Sequence, residues 1–279
     1  MDKNFVFFIV DSARSYSLGG IDDRDKLDMM FDFENESISF ENTITSAPSS
    51  IMSFLAMATS MPSYYIARNY DDFRYDQNQM LTLPKLFINN GYESKSILNA
   101  RECRVKFDSM IEHVGKKHYP KGLSENHYIE NLGHSWPNYN LNEILESFLQ
   151  NRKSKKPLFL LVWYQIRLDP NCSQEVLKGI DILKKYEYWD DSIFLLSADH
   201  GYPDPKREMT EEKRIQMGFS SVSHDLQLYD DNIKIPFYLK YPNVKPKKIF
   251  EQTSTMDILP TVIDLMNLEY QKSDMQKFQ

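Results

Sequence analysis

The chain has 279 residues, 41% of them hydrophobic and 13% aromatic, and a formal net charge of −7. So much apolar and aromatic residue excludes a chain disordered along most of its length. The acidic balance argues against a nucleic-acid binder, whose surface is basic, so an anionic substrate would have to be held locally by a metal, an Arg or backbone N–H groups.

In chain order, the first element is FVFFIV at 5–10, a continuous apolar, β-rich run that reads as a strand covered on both faces and ends at Asp11. The run from 4 to 10 is too short for a signal-peptide core or a membrane span, and no other window is apolar enough to cross a bilayer. The expectation is a cytoplasmic protein without a membrane span. SISFENTI (37–44) reads as a second strand. Pro48 fits the first turn of a helix reaching about residue 60, with Pro62 just past its end. TLPKLFINNGY (82–92) reads as a short helix with Thr82 as N-cap, Pro84 in the first turn and Gly91 as the stop, followed by a strand at 93–98.

Residues 101–140 are irregular and hold His113, His118, His127 and His134, at no spacing that suggests a metal site. LNEILESFLQNRK (141–153) carries a helical apolar stripe, KPLFLLVWY (156–164) is a buried strand, and 173–189 is a second amphipathic helix. SIFLLSAD (192–199) is a third buried strand, again ending in an acid. The charged segment 203–218 should be exposed, 233–242 should be a strand, and 255–268 a closing helix with Pro260 early in it. Cys103 and Cys172 form no CxxC pair and no disulfide framework. Buried strands alternating with amphipathic helices mean an α/β fold with a mixed, mostly parallel central sheet and helices on both faces. With no repeat or linker, 1–279 reads as one domain with an irregular insertion at about 101–140.

Chemistry concentrates where apolar strands end. Ligands of open α/β sheets bind outside the carboxyl ends of the strands. Asp11 and Asp199-His200-Gly201 are delivered there, and acids with an imidazole on rigid elements can converge on a cation. The segment TSAPSSIMSFLAMATSMP (45–62) admits two readings: a small-residue helix packed on the sheet, or a helix whose positive first turn presents a serine nucleophile.

The order of these parts resembles the sulfatase branch of the alkaline phosphatase superfamily. The matching segments are NFVFFIVDSARSYSLG, FENTITSAPSSIMSFLAMATSMP, TLPKLFINNGY, KPLFLLVWY, SIFLLSADHG, SHDLQLYDDNIKIPFYLKYP and TMDILPTVIDLMNL, which together span nearly the whole chain. The resemblance implies Asp11, Asp199 and His200 as metal ligands and Ser50 as nucleophile and fourth ligand, with Ser49 and Thr45 as fallback hydroxyls. It places His224 in a catalytic or substrate-binding position. Arg14, just past Asp11, is a candidate clamp for an anionic oxygen. The implied cofactor is one divalent metal ion, manganese or zinc ahead of calcium.

The departures shape the expected chemistry. Family members that convert this position to formylglycine carry a small residue two places on and an Arg four places on. Here those places hold Met52 and Phe54, which implies an unmodified serine. Ser12 stands where the family has a second acid, and only Asp169 is left near the next ligand position, out of register. Such a site resembles the phosphoryl-transfer members, such as lipoteichoic acid synthase. The expected function is a metal-dependent hydrolase or transferase of phosphate or sulfate esters acting through Ser50. Its expected partner is a small-molecule or glycan ester, or a lipid-linked sugar, and not a nucleic acid. The alternatives are a sulfuric ester hydrolase with an atypical serine and an inactive sulfatase-like binding protein.

Overall fold

A computed structural model describes residues 3–15, 33–66, 81–98, 140–165, 172–202, 210–216 and 228–270. In chain order the elements are β1 (Asn4–Asp11), β2 (Ile38–Phe40), β3 (Thr43–Ile44), α1 (Ser50–Thr59), α2 (Ser63–Ile66), α3 (Leu83–Asn89) and β4 (Glu93–Leu98). They continue as α4 (Leu141–Asn151), β5 (Leu158–Gln165), α5 (Cys172–Lys185), β6 (Ser192–Ala198), α6 (Glu211–Gln216), α7 (Asp230–Ile233) and β7 (Lys234–Ile235). The chain closes with β8 (Phe237–Lys240), β9 (Lys247–Ile249), β10 (Thr253–Ser254) and α8 (Ile258–Met266). Residues 101–139, Asp169 and His224 lie outside the described residues.

Seven strands form one sheet in the order β4-β5-β1-β6-β8-β2-β9, and β10-β3-β7 form a smaller one. The strands β4, β5, β1 and β6 run parallel, β8 pairs antiparallel with both β6 and β2, and β9 is parallel to β2. The expected mixed, mostly parallel sheet is present. β1 is central, which is why it reads as an unbroken apolar run: both of its faces are covered. Phe5, Phe7 and Ile9 point to one side and pack with Phe54, Leu55, Met57 and Ala58 of α1. Val6, Phe8 and Val10 point to the other and pack with Leu145 and Leu149 of α4 and Val176, Ile180 and Leu183 of α5. The small residues of α1 therefore do form a packing face. No helix among the described residues is long and apolar enough to cross a membrane.

Two segments read as single strands are each divided. Residues 37–44 give β2 to the large sheet and β3 to the small one, because Thr43 turns to pair with Ile235 and its hydroxyl meets that of Thr253 at 2.7 Å. Residues 233–242 break at Pro236, which has no N–H for a ladder. The carbonyl of Pro236 instead accepts from the Ser197 hydroxyl at 3.1 Å.

The face carrying α4 and α5 is fitted around Gly179. A Cβ there would lie 2.1 Å from the Tyr164 hydroxyl, which donates to Asn142 Oδ1 at 3.0 Å. Ala in place of Gly gains about 1 kcal/mol of helix propensity. Overpacking costs about 1–3 kcal/mol and the displaced buried hydrogen bond about 1 more. Gly179→Ala should therefore destabilise the protein on urea unfolding; a stabilised variant would show that Tyr164 can withdraw at no cost.

Candidate functional site

Strand register brings the first two acids together. β1 and β6 are parallel neighbours with Val10 opposite Ala198, so Asp11 and Asp199 leave the same edge of the sheet side by side. Asp11 is 5% exposed, and Asp199 and His200 are fully buried. One ligand atom from each of Asp11, Asp199 and His200 lies within 4.8 Å of the other two.

After Asp11 the chain turns sharply at Ser12, whose φ of 63° lies in the left-handed region that costs a non-glycine residue about 1 kcal/mol or more. This turn aims the Ser12 amide at Asp199 Oδ1 (2.9 Å) and its hydroxyl at Asp11 Oδ1 (2.6 Å). Arg14 follows and is buried rather than on the surface.

On the β6 side, Asp199 Oδ1 also accepts the His200 amide at 2.8 Å, so its lone pairs are used. Asp199 Oδ2 is buried, has no hydrogen bond of good geometry, and sits 3.4 Å from His200 Nε2. The other ring nitrogen, Nδ1, is 2.6 Å from the Gly201 carbonyl. A carbonyl can only accept, so Nδ1 carries the proton in the neutral ring and Nε2 presents a lone pair. Nε2 and Asp199 Oδ2, both acceptors, then face each other at 3.4 Å. This is the arrangement a divalent cation satisfies, and two carboxylates with an imidazole suit manganese or zinc. The residues present therefore fit the metal that the family pattern implies.

The start of α1 closes the site. Ser49 is the N-cap in extended geometry, but its side chain makes no cap hydrogen bond, and the first turn contains no acid. Ser50 is the first helical residue, partly exposed, with Oγ 3.2 Å from His200 Nε2. The other hydroxyls of the segment hold the site from behind. Thr45 and Ser53 both donate to the Asp199 carbonyl oxygen, at 2.6 and 2.5 Å, and lie 2.7 Å from each other. Thr45 is thus occupied in bracing β6, and Ser50 is the hydroxyl placed at the imidazole.

A second brace was not evident from the sequence. The carbonyls of Asp231, Asn232, Ile233 and Lys234 accept, in turn, the amides of Tyr202, Gly201, Thr45 and Ser15. Gly201 is required by this contact, since a Cβ would lie 2.1 Å from the Asp231 carbonyl oxygen. Its only trace in the sequence is DDNIKIP, where a short polar run enters a strand. Of the candidate residues, the structure brings together Asp11, Ser50, Asp199 and His200. Arg14 is buried three residues past Asp11, and His224 lies outside the described residues.

Residues 3–166 match the family model described as Sulfatase. Comparison with curated proteins returns no match. Among solved structures, the chain is similar to the lipoteichoic acid synthase LtaP from Listeria monocytogenes (16% identity, TM-score 0.67, covering 96% of this chain and 72% of that one). It is also similar to a protein in the alkaline phosphatase superfamily from Vibrio parahaemolyticus (19% identity, TM-score 0.68, 98% and 68% covered). A third is the phosphonate monoester hydrolase of Agrobacterium radiobacter (12% identity, TM-score 0.60, 96% and 74% covered). Identities this low show a shared fold.

Burial pushes the Asp199 carboxyl up to about 6 from an ordinary 3.8; the His200 ring opposes the rise, Asp11 adds to it, and the Ser12 amide and Ser50 hydroxyl oppose it. The folded metal-free protein thus holds this proton more tightly than the unfolded chain. The resulting stability is fully present below the unfolded value and is lost as pH rises through the folded one. Between pH of about 4 and about 6, chelator-treated protein should lose up to about 3 kcal/mol that Asp199→Asn does not lose. Urea unfolding across that range checks it; parallel pH profiles for the two proteins would show an ordinary carboxyl.

Proposed function

This chain belongs to the sulfatase family, within the alkaline phosphatase superfamily, and from that premise we propose that it is a metal-dependent phosphoryl-transfer enzyme with Ser50 as an unmodified nucleophile. The observation that carries the reading is the Ser50 hydroxyl at the first turn of α1, 3.2 Å from His200 Nε2 and beside the buried Asp11–Asp199 pair.

Asp11, Asp199, His200 and the Ser50 oxygen are the residues that would hold the cation. When bound, a divalent ion supplies Lewis acidity, lowering the pKa of a hydroxyl and offsetting charge on a phosphoryl oxygen. The protein contributes the rest. Ser50 is only partly buried, so its proton has a route to solvent and its oxygen an open side toward substrate. The amides of the first turn of α1 point at the same place and favour an anion there. Ser50 Oγ attacks phosphorus, the bond to the leaving alcohol breaks, and a phosphoseryl ester results. Water or an acceptor alcohol then attacks the same phosphorus and restores Ser50. Arg14, buried next to the β1 end, balances the charge of the bound ester, and His224 serves the leaving group or a substrate oxygen.

An unmodified serine is supported by what occupies the neighbouring positions. Phe54 is buried with its ring 5.2 Å from Trp163, and Met52 packs against the same core, so both serve packing. The favoured substrate is a phosphate ester or diester of a glycan or lipid-linked sugar. The fold shared with a lipoteichoic acid synthase supports that class.

Purified protein should cleave aryl phosphate or phosphodiester substrates with Mn²⁺ or Zn²⁺ and lose the activity to chelator. Ser50→Ala should lower the rate by at least about 10³-fold, and trapped wild type should carry phosphate on the peptide containing Ser50. Activity untouched by both chelator and Ser50→Ala would sink the mechanism. A small mass loss at Ser50 with turnover of sulfate esters alone would establish the atypical sulfatase instead.

A further inference from the structure

Ser12 touches both carboxylates of the cation pocket, although nothing in the proposed chemistry uses it. Its hydroxyl donates to Asp11 Oδ1 at 2.6 Å and its amide to Asp199 Oδ1 at 2.9 Å. Both contacts depend on the left-handed turn at φ 63°, and the residue is 3% exposed, so water has little access to either bond. We infer that Ser12 is a positioning residue that fixes the two carboxylates in the geometry that accepts a single divalent cation. The inference rests on the reading of Asp11, Asp199 and His200 as the cation ligands.

The division of oxygens supports this role. Ser12 engages one oxygen of each carboxylate and leaves Asp199 Oδ2 facing the imidazole, 3.4 Å from His200 Nε2. A hydroxyl donates without bringing charge. The two carboxylates therefore stay at two negative charges, matched to one dication, where an acid at position 12 would bring a third into the same 4.8 Å cluster. Partners that orient metal-ligating groups in this way commonly change metal affinity by about 10- to 100-fold when removed.

The test is titration calorimetry of the metal-free protein with MnCl₂ alone, beside the thermal midpoint of the same metal-free samples. Ser12→Gly keeps the amide and adopts the turn without strain, but lacks the hydroxyl; Ser12→Ala lacks the hydroxyl in a strained turn. Both should bind one Mn²⁺ about 10-fold or more weakly than wild type at a temperature well below the metal-free midpoint of each. Wild-type affinity in Ser12→Gly would overturn the inference. So would weakened binding in Ser12→Gly that comes with loss of the native near-ultraviolet spectrum at the titration temperature, which would mark a general folding defect. Failure of wild type itself to bind Mn²⁺ would instead overturn the underlying assignment of the ligands.

Discussion

Four consecutive carbonyl oxygens, from Asp231 to Lys234, hold together everything that meets at the carboxyl edge of the sheet. Each accepts an amide from a site-bearing segment: the end of β1 through Ser15, the approach to α1 through Thr45, and the turn after β6 through Gly201 and Tyr202. Each such bond contributes only about 1 kcal/mol net. Their value is geometric, because they make one rigid frame of three segments that are remote in sequence. The frame leaves no slack at Gly201, where backbone packs against backbone with no room for a side chain. The main chain thus fixes these segments against one another, and the side chains are left to face the site.

The frame also explains how two acids and an imidazole can be buried so close together. Uncompensated burial of such groups is costly, and the compensation is visible atom by atom. Asp199 Oδ1 has two amide donors, its main-chain carbonyl has the hydroxyls of Thr45 and Ser53, and Asp11 Oδ1 has the Ser12 hydroxyl. Asp199 Oδ2 has no such partner and faces His200 Nε2 across a gap of 3.4 Å. The strained conformation of Ser12 sits at the rim of that gap, in keeping with the tendency of backbone strain to persist where surrounding contacts over-determine it.

Much of this was legible in the sequence, and the reasons are specific. FVFFIV, FLLVWY and SIFLLSA declare themselves as central strands because both faces are covered, so their apolar runs are unbroken. Once they are parallel neighbours, Asp11 and Asp199 must emerge together. Thr82 and Pro84 announce the start of α3 by local chemistry, and the Thr82 hydroxyl does accept from the Lys85 amide. Short strands were less readable. The split at Asn42 and the transfer of Thr43 to a second sheet depend on partners some two hundred residues away, Thr253 among them, and no local pattern encodes that pairing. The backbone brace at 231–234 was invisible for a related reason: carbonyl acceptors are common to every residue type, so side-chain identity says nothing of them. The burial of Arg14 was not legible either, since it follows from how the turn after β1 folds back toward β7.

The pairing of Val10 with Ala198 acts as a ruler. Side chains alternate faces along a strand, so inserting or deleting one residue in β1 would turn Asp11 to the opposite side of the sheet, among the helices α4 and α5. The length of an apolar strand therefore decides where Asp11 points as much as the choice of acid decides what it presents. Substitutions within FVFFIV that keep volume should be tolerated by the site, whereas a change in residue count should not. The site has freedom to vary in the loops that follow the strands, and almost none in the spacing of the strands themselves.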